Sequence, residues 1–275
     1  MKIDNKVLSL TVCEKGGEMS SLTYKGYDVL YKGDKEYWSG KNPTLFPIIG
    51  SPNSKEYVLD GVKYPIKNHG LIRYADLKCV CDDGEKITMR LHSDEETLKQ
   101  YPFEFNYEIS YRLDNNKVLI DYEIRNESIK IMPFTFGLHP GFNVRNFEEM
   151  SLVFPEDEDG TLVDMMNGKI EKIKLGEYKN FIEDVTRLET VVLAGLKSKY
   201  VILKMKEYSV KVDMSSFKYL GLWTKNEKCD YMCIEPWLSI NDIAHAENPF
   251  DDKYELEHLN PGETFKIGYY FEIID

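Results

Sequence analysis

The 275-residue chain has no run of about 18 consecutive apolar residues, so no segment reads as a membrane-spanning helix. Its first residues, Met1-Lys2-Ile3-Asp4-Asn5-Lys6, lack the apolar core of a secretory signal, which predicts a cytoplasmic protein. Cysteine is scarce: there are five, an odd number that cannot all pair within one chain, and reduced thiols suit it better than a disulfide framework. Positive charge is in deficit, with 35 Lys and Arg against 47 Asp and Glu and a net charge of −12. That balance argues against a nucleic-acid or anionic-membrane surface, while a local pocket can still be basic. Linkers rich in Pro and Gly, low-complexity tracts and internal repeats are all missing, so residues 1–275 are read as a single domain. Helix signals are also few. One candidate runs from Ser93 to Tyr101: Ser93 or Asp94 can cap it, Glu95 and Glu96 sit where the dipole favours acids, and Pro102 stops it.

Period-two alternation fills the rest of the chain. Phe103, Phe105, Tyr107, Ile109, Tyr111 and Leu113 alternate with Glu104, Asn106, Glu108, Ser110 and Arg112, the pattern of a half-buried strand. Asp114-Asn115-Asn116 turns it, and Val118, Ile120, Tyr122 and Ile124 return as the second arm of a hairpin. Tyr208 to Met214 and Phe265 to Ile273 repeat the pattern, the latter after the turn Asn260-Pro261-Gly262. Val7 to Val12 and Leu22 to Tyr31 also read as strands. The stretch from Glu156 to Thr186 is rich in charge and turn residues, and Glu156-Asp157-Glu158-Asp159 reads as a solvated loop, with a calcium site the minor alternative. With 42% hydrophobic residues the chain can bury a core, and many short strands between turn signals predict an all-β fold, a sandwich or a barrel.

Three stretches carry chemistry. Phe136-Gly137-Leu138-His139-Pro140-Gly141-Phe142-Asn143 sets one histidine among glycines, a proline and aromatic residues. Gly and Pro suggest a sharp turn leaving a strand, Pro140 restricts the backbone of His139, and histidine can move a proton near neutral pH. A hydrogen-bonded core histidine beside a turn would look the same. Asn68-His69-Gly70-Leu71-Ile72-Arg73 offers a second histidine and an arginine whose donor fork suits hydroxyl pairs, carboxylate or phosphate; a loop histidine and a surface ion pair are the plain alternatives. Cys233-Ile234-Glu235-Pro236-Trp237 places Cys233 and Glu235 on one face of a strand. A carboxylate among apolar neighbours is paired, protonated or in use, and burial would raise its pKa toward the range of a general base. Upstream, Asn42-Pro43-Thr44-Leu45-Phe46-Pro47-Ile48-Ile49-Gly50 is a proline-bracketed apolar run that could line a pocket or be an ordinary edge segment. Trp223, Trp237, Phe46 and Phe142 are flat residues near these turns that could pack on the C–H faces of a sugar or be ordinary core.

Asn-Pro-x-Leu-Phe-Pro at 42–47, His-Gly-x-x-Arg at 69–73, His-Pro-x-Phe-Asn at 139–143 and Cys-Ile-Glu-Pro-Trp at 233–237, in this order, resemble the aldose 1-epimerase (galactose mutarotase-like) family, and its LacX-like branch most closely. Tyr101-Pro102-Phe103-Glu104-Phe105 and Leu259-Asn260-Pro261-Gly262-Glu263 add to the resemblance, which spans nearly the whole chain. It implies a large antiparallel β-sandwich, the galactose mutarotase-like supersandwich, and interconversion of the α and β anomers of a hexose with no cofactor. On the resemblance, Glu235 matches the general base, His139 the general acid and His69 the second active-site histidine. Arg73 falls at a sugar-contacting position, and Asn42 is a looser match. The sequence departs from the family in one place. Galactose mutarotases carry a sugar-contacting aspartate in a Gly-Phe-Asp-His-Asn stretch that is absent here, with Asp242 and Asp213 only weak stand-ins, which points away from galactose itself.

The expected partner is a small-molecule sugar, with no nucleic acid and no membrane, and the chain a monomer or homodimer. Two readings compete with a mutarotase for a free hexose. Arg73, with Lys67 and Lys41 in adjacent loops, could serve a hexose 6-phosphate, though solvated surface charges are the plain alternative for the lysines. A carbohydrate-binding or regulatory protein could keep the sandwich and do no chemistry. A glycosidase fits less well, since most need two carboxylates and only Glu235 is at hand. For metals, Cys79-Val80-Cys81 and Cys229…Cys233 give four thiols, with His245 and His258 in an acidic segment, but these are not zinc-motif spacings and no metal site is expected. Cys79 and Cys81 are expected as buried thiols on a strand, and His92 as exposed.

Overall fold

In the computed structural model, residues 1–52, 54–165, 168–240 and 255–275 are described. The fold is all-β. A 15-stranded sheet begins at the short edge strand Thr44–Leu45 and passes through Gly137–Leu138, Tyr231–Trp237, Tyr219–Trp223, Val191–Ala194 and Ser151–Val163. It continues through Tyr200–Lys204, Ser209–Asp213, Thr264–Ile274, Lys117–Asn126, Phe105–Asp114 and Lys86–His92 to the other edge at Lys78–Asp82. Neighbouring strands are antiparallel throughout. A four-stranded sheet from Lys2–Asp4 to Tyr27–Asp28 and two two-stranded pairs complete it. Among the described residues no helix is long and apolar enough to cross a membrane.

The large sheet folds over on itself, because strands far apart in its order meet face to face. Phe142 packs edge-on against Phe271 at 5.5 Å and Phe136 against Tyr122 at 5.0 Å. Phe46 touches Phe105 at 5.4 Å and Phe134 at 5.5 Å. These rings are buried, and each contributes on the order of 2 kcal/mol by leaving water. Buried tyrosines also need hydroxyl partners, and they find them across the layers. The Tyr107 hydroxyl bonds the Thr44 hydroxyl at 3.0 Å, Tyr111 donates to the Gly17 carbonyl at 2.7 Å and Tyr101 to the Pro133 carbonyl at 2.7 Å. The first of these ties the edge segment around residue 44, which borders the site, to the middle of the opposite layer.

The hairpin read from alternation is present: Phe105–Asp114 pairs with Lys117–Asn126, with Asp114 opposite Lys117. The helix expected from Ser93 shortens to Glu95–Leu98. Asp94 caps it, its carboxylate accepting from the Glu96 and Thr97 amides, while the Asp94 amide donates to the Thr97 hydroxyl. Leu22 to Tyr31 is not one strand. Lys25 (φ 47°) and Gly26 (φ 84°) turn it between Met19–Tyr24 and Tyr27–Asp28.

The charged stretch after Glu156 is not a loop. It forms the long strand Ser151–Val163, the strand Ile170–Tyr178 and the helix Phe181–Leu188. Glu158 is only 2% exposed and accepts from the Lys197 and Ser198 amides at 2.8 and 2.5 Å, so its carboxylate is spent on backbone donors. Cys79 is exposed and Cys81 half-buried, against the expectation of buried thiols, because they lie on the edge strand at a register shift. His92 is exposed, with Nδ1 3.7 Å from Glu127.

Candidate active site

The strand Tyr231–Trp237 is buried along its whole length and sits one strand in from the region where the edge breaks up. On one side it pairs with Tyr219–Trp223, which puts Gly221 opposite Glu235 and Trp223 opposite Cys233. On the other side its partner is interrupted. Gly137 faces Trp237, Gly141 faces Cys233, and His139-Pro140 lies between the two short strands. The gap brings the His139 ring against Glu235: Nε2 stands 3.3 Å from the carboxylate Oε1. Alternation sends Met232 and Ile234 into the main core and leaves Cys233, Glu235 and Trp237 on the opposite face.

Three glycines make room for this arrangement. A Cβ at Gly137 would stand 2.7 Å from the Trp237 ring, one at Gly221 also 2.7 Å from it, and one at Gly141 2.8 Å from the Trp38 ring. Trp38 stacks on His139 with centroids 4.8 Å apart and meets Trp223 edge-on at 5.6 Å. All three tryptophans of the chain thus line one cleft of about 670 Å³, with Glu235, His139, His69 and Arg73.

His69 arrives from a second direction. It takes a left-handed backbone (φ 64°), followed by Gly70 (φ 80°), where an added Cβ would fall 2.1 Å from the Phe46 carbonyl oxygen. The Leu71 amide donates to that carbonyl at 2.7 Å, the His69 amide to Gly50 O at 2.6 Å, and the Gly50 amide returns a bond to His69 Nδ1 at 3.0 Å. Accepting at Nδ1 fixes the neutral tautomer: the proton is on Nε2, a donor. The His69 and His139 rings meet edge to face at 5.3 Å. Arg73, in the short turn Ile72–Tyr74, lies over the Tyr74 ring at 5.2 Å. It has no carboxylate in ion-pair range among the described residues.

Burial governs the protonation of the three groups. Glu235 is 1% exposed and its carboxyl is pushed well above the usual range, with the neighbouring Trp237 side chain and the Arg73 charge pulling the other way. His139, 5% exposed, is held well below the usual imidazole value by burial first, then by His69 and Arg73. His69 is lowered to about 3 by burial and Arg73. An isolated charge is disfavoured on either member of the Glu235–His139 pair, so the pair holds a single proton. Its transfer across 3.3 Å separates charge without changing the net charge of the site.

Of the residues singled out from sequence, Glu235, His139, His69, Arg73, Trp223 and Trp237 converge on the cleft. Asn42 and Phe142 do not. The Asn42 amide is taken up by Met19, accepting from its N–H at 2.9 Å and donating to its carbonyl at 2.6 Å, and Phe142 is fully buried against Phe271. Both are structural. Asp242 lies outside the described residues, as does His245. Asp213 is also no stand-in for the missing aspartate: it is buried on Ser209–Asp213 and accepts from the Ser215 amide and hydroxyl. Trp38 and Tyr37 also form a cleft wall, and so does Lys225, whose ammonium donates to the Glu36 carbonyl at 2.9 Å; none of the three belongs to a motif singled out from sequence. A tryptophan four residues before Asn42, in a chain with three, was the available signal.

The family model for aldose 1-epimerase matches residues 1–271. The plasmid-encoded protein LacX of Lactococcus lactis subsp. lactis is 26% identical over 298 aligned residues, covering 100% of this chain and 99% of LacX. Among solved structures, a galactose mutarotase-like protein from Lactobacillus casei superposes with a TM-score of 0.91 at 27% identity, covering 99% of both chains. A galactose mutarotase related enzyme from Lactobacillus acidophilus gives 0.90 at 26% identity, covering 100% of this chain and 97% of the other.

Proposed function

Because this chain belongs to the aldose 1-epimerase family, we propose that it interconverts the α and β anomers of a hexose with Glu235 and His139 as its acid–base pair. The observation that carries the proposal is the 3.3 Å contact between His139 Nε2 and Glu235 Oε1, within a cleft lined by tryptophans. Mutarotation removes the proton from the anomeric O1–H and delivers one to the ring oxygen O5 as the C1–O5 bond breaks. The open aldehyde rotates about C1–C2 and recloses on its other face, the two groups exchanging roles. The proton count does not change over the cycle, which suits a pair that holds one proton. In the ring-opening direction Glu235 acts as carboxylate base and His139 as imidazolium acid, the charge-separated form of that pair. His69 supplies a fixed Nε2–H donor, and its depressed basicity makes it a sugar-orienting group and not a proton carrier. The aromatic faces of Trp38, Trp223 and Trp237 suit the C–H faces of a pyranose.

One observation favours a phosphorylated sugar as a second reading. The Arg73 guanidinium lacks a carboxylate partner among the described residues, and Lys225 lines the same cleft. Anomer exchange followed by NMR on glucose, galactose and glucose 6-phosphate tests both, with Glu235→Gln as control. Faster exchange on a free hexose supports the first reading, and a strong preference for the 6-phosphate supports the second. Binding of a sugar with no acceleration of exchange would leave a non-catalytic carbohydrate-binding protein.

A further inference from the structure

Cys233 is a buried nucleophile that the mutarotase reading leaves unused. It precedes Glu235 by two residues on the same face of the strand and is 0% exposed. Its Sγ, a ring nitrogen of His139 and a carboxylate oxygen of Glu235 all lie within 4.8 Å of one another, the one such group among the described residues. The His139 ring nitrogen that faces Glu235 is Nε2, 3.3 Å from Oε1, in a ring that is 5% exposed.

Nitrogen, thiolate sulfur and carboxylate oxygen are the donors of tetrahedral zinc, with bond lengths of about 2.0–2.3 Å. Ligand atoms around such an ion stand roughly 3.3–3.8 Å apart, so closing the triad needs about an ångström of side-chain movement. Charge fits as well. A carboxylate and a thiolate together neutralise a dication, so the occupied site carries no net charge in a region almost without water. Magnesium fits poorly, since it prefers six oxygen ligands and gives up its waters reluctantly.

We propose that Cys233, His139 and Glu235 form a binding site for a borderline-soft divalent cation of the zinc class, with the fourth coordination position open to the cleft. Binding takes Zn²⁺ up and releases the protons of the Cys233 thiol and the Glu235 carboxyl, so occupancy rises with pH. The ion takes both members of the acid–base pair, so zinc is an inhibitor that competes with the sugar; this consequence for activity rests on the proposed function, whereas binding does not.

Cys79 is exposed and Cys81 half-buried on an edge strand, where they could bind zinc independently, so the reference protein for the test is Cys79→Ser/Cys81→Ser. Zinc chloride titrated against a chromophoric chelator should fill one site per chain in that protein, and cadmium chloride should produce a thiolate-to-metal charge-transfer band. Magnesium chloride should do neither, and a sugar that undergoes exchange should displace zinc. Cys233→Ala and Cys233→Ser, added singly, should remove the cadmium band while circular dichroism shows an intact fold. Partners outside the ligand shell already cost about 10- to 100-fold in affinity, so loss of a ligand should cost at least that much. An unchanged chelator curve in both Cys233 variants, or equal binding of magnesium, overturns the inference. Absence of anomer exchange without metal would instead sink the mutarotase reading, and the chelator and cadmium readouts would still decide the site.

Discussion

Glu235 and His139 are each disfavoured as lone charges, so each is expected to be indispensable for a different proton. Glu235→Gln keeps shape and hydrogen bonding while removing the base, and His139→Asn removes the acid. Each should slow anomer exchange by more than about tenfold, toward the 10²–10⁴ typical of a positioned acid or base, while circular dichroism shows an intact fold. Near-native rates in either variant would refute the assignment. Trp38 acts differently. Its ring lies 4.8 Å from that of His139 and forms a wall of the cleft. Trp38→Ala should lose both the stack and a sugar-facing surface, weakening sugar binding by about 2- to 10-fold, the worth of one aromatic pair. Trp38→Phe should recover most of it; equal KM values for Ala, Phe and native protein would remove Trp38 from the site. Glu235 and His139 could be nominated from sequence because their neighbours are distinctive: Pro140 and Gly141 after one, Cys233 and Pro236-Trp237 around the other. Trp38 lies in Lys35-Glu36-Tyr37-Trp38-Ser39-Gly40, where no periodicity or turn signal marks it, and only the fold brings it over the histidine.

At the scale of elements, the site depends on a strand that is interrupted on one flank and flanked by glycine on the other. Gly221 and Gly137 stand where a methyl group would meet Trp237 at 2.7 Å. Gly221→Ala should tilt the Trp237 ring into the cleft, lowering the melting temperature and raising KM with little change in the fold. Gly70 is under tighter constraint, having both a positive φ and the Phe46 carbonyl at 2.1 Å from an added Cβ. Gly70→Ala should destabilise by at least about 2 kcal/mol in urea unfolding, since strain and overlap of this kind each cost of order 1–3 kcal/mol. A loss under half that size would mean that the His69 loop is softer than its hydrogen bonds suggest. Strands with one wet face, such as Phe105–Asp114 and Lys117–Asn126, were legible because alternation is how a half-buried strand is written. Ser151–Val163 was not. Its Glu156-Asp157-Glu158-Asp159 run looks like a loop, and it stays in the sheet because Glu158 binds two backbone amides from a segment some 40 residues away.

Across the whole molecule, the two cleft histidines shape the response to acid. His69 has an ordinary value of 6.5 and is lowered to about 3 in the fold. Between those values the unfolded chain binds a proton that the folded chain refuses, so stability is complete above pH 6.5 and falls as the pH drops toward 3. His139 shifts in the same direction and adds to the slope. Glu235 opposes it: its raised carboxyl keeps a proton that the unfolded chain gives up above 4.5, so its contribution is present below 4.5 and is lost as pH rises through its folded value. The melting temperature of His69→Asn, in which Asn tolerates the positive φ at that position, should therefore fall less steeply than native between pH 6.5 and 4.5. Parallel curves would show that the fold does not hold the His69 imidazole below its ordinary value.

The sequence by itself determined the fold class and marked the three stretches whose side chains meet in the cleft. Alternation with period two is a local property, and the His-Gly, His-Pro and Glu-Pro-Trp segments lie in the right order along the chain. Pairing was settled only by tertiary structure. Residues 69, 139 and 235 are separated by 70 residues or more, and nothing local says that a break between Leu138 and Gly141 lies opposite Glu235. The same long-range packing moved Asn42 and Phe142 into structural roles, because their hydrogen bonds and buried area are claimed by Met19 and Phe271. It also brought Trp38 over His139 and placed the Cys233 thiol beside His139 and Glu235. A strand's face follows from its own sequence, whereas the neighbour it meets is selected by the register of the whole sheet.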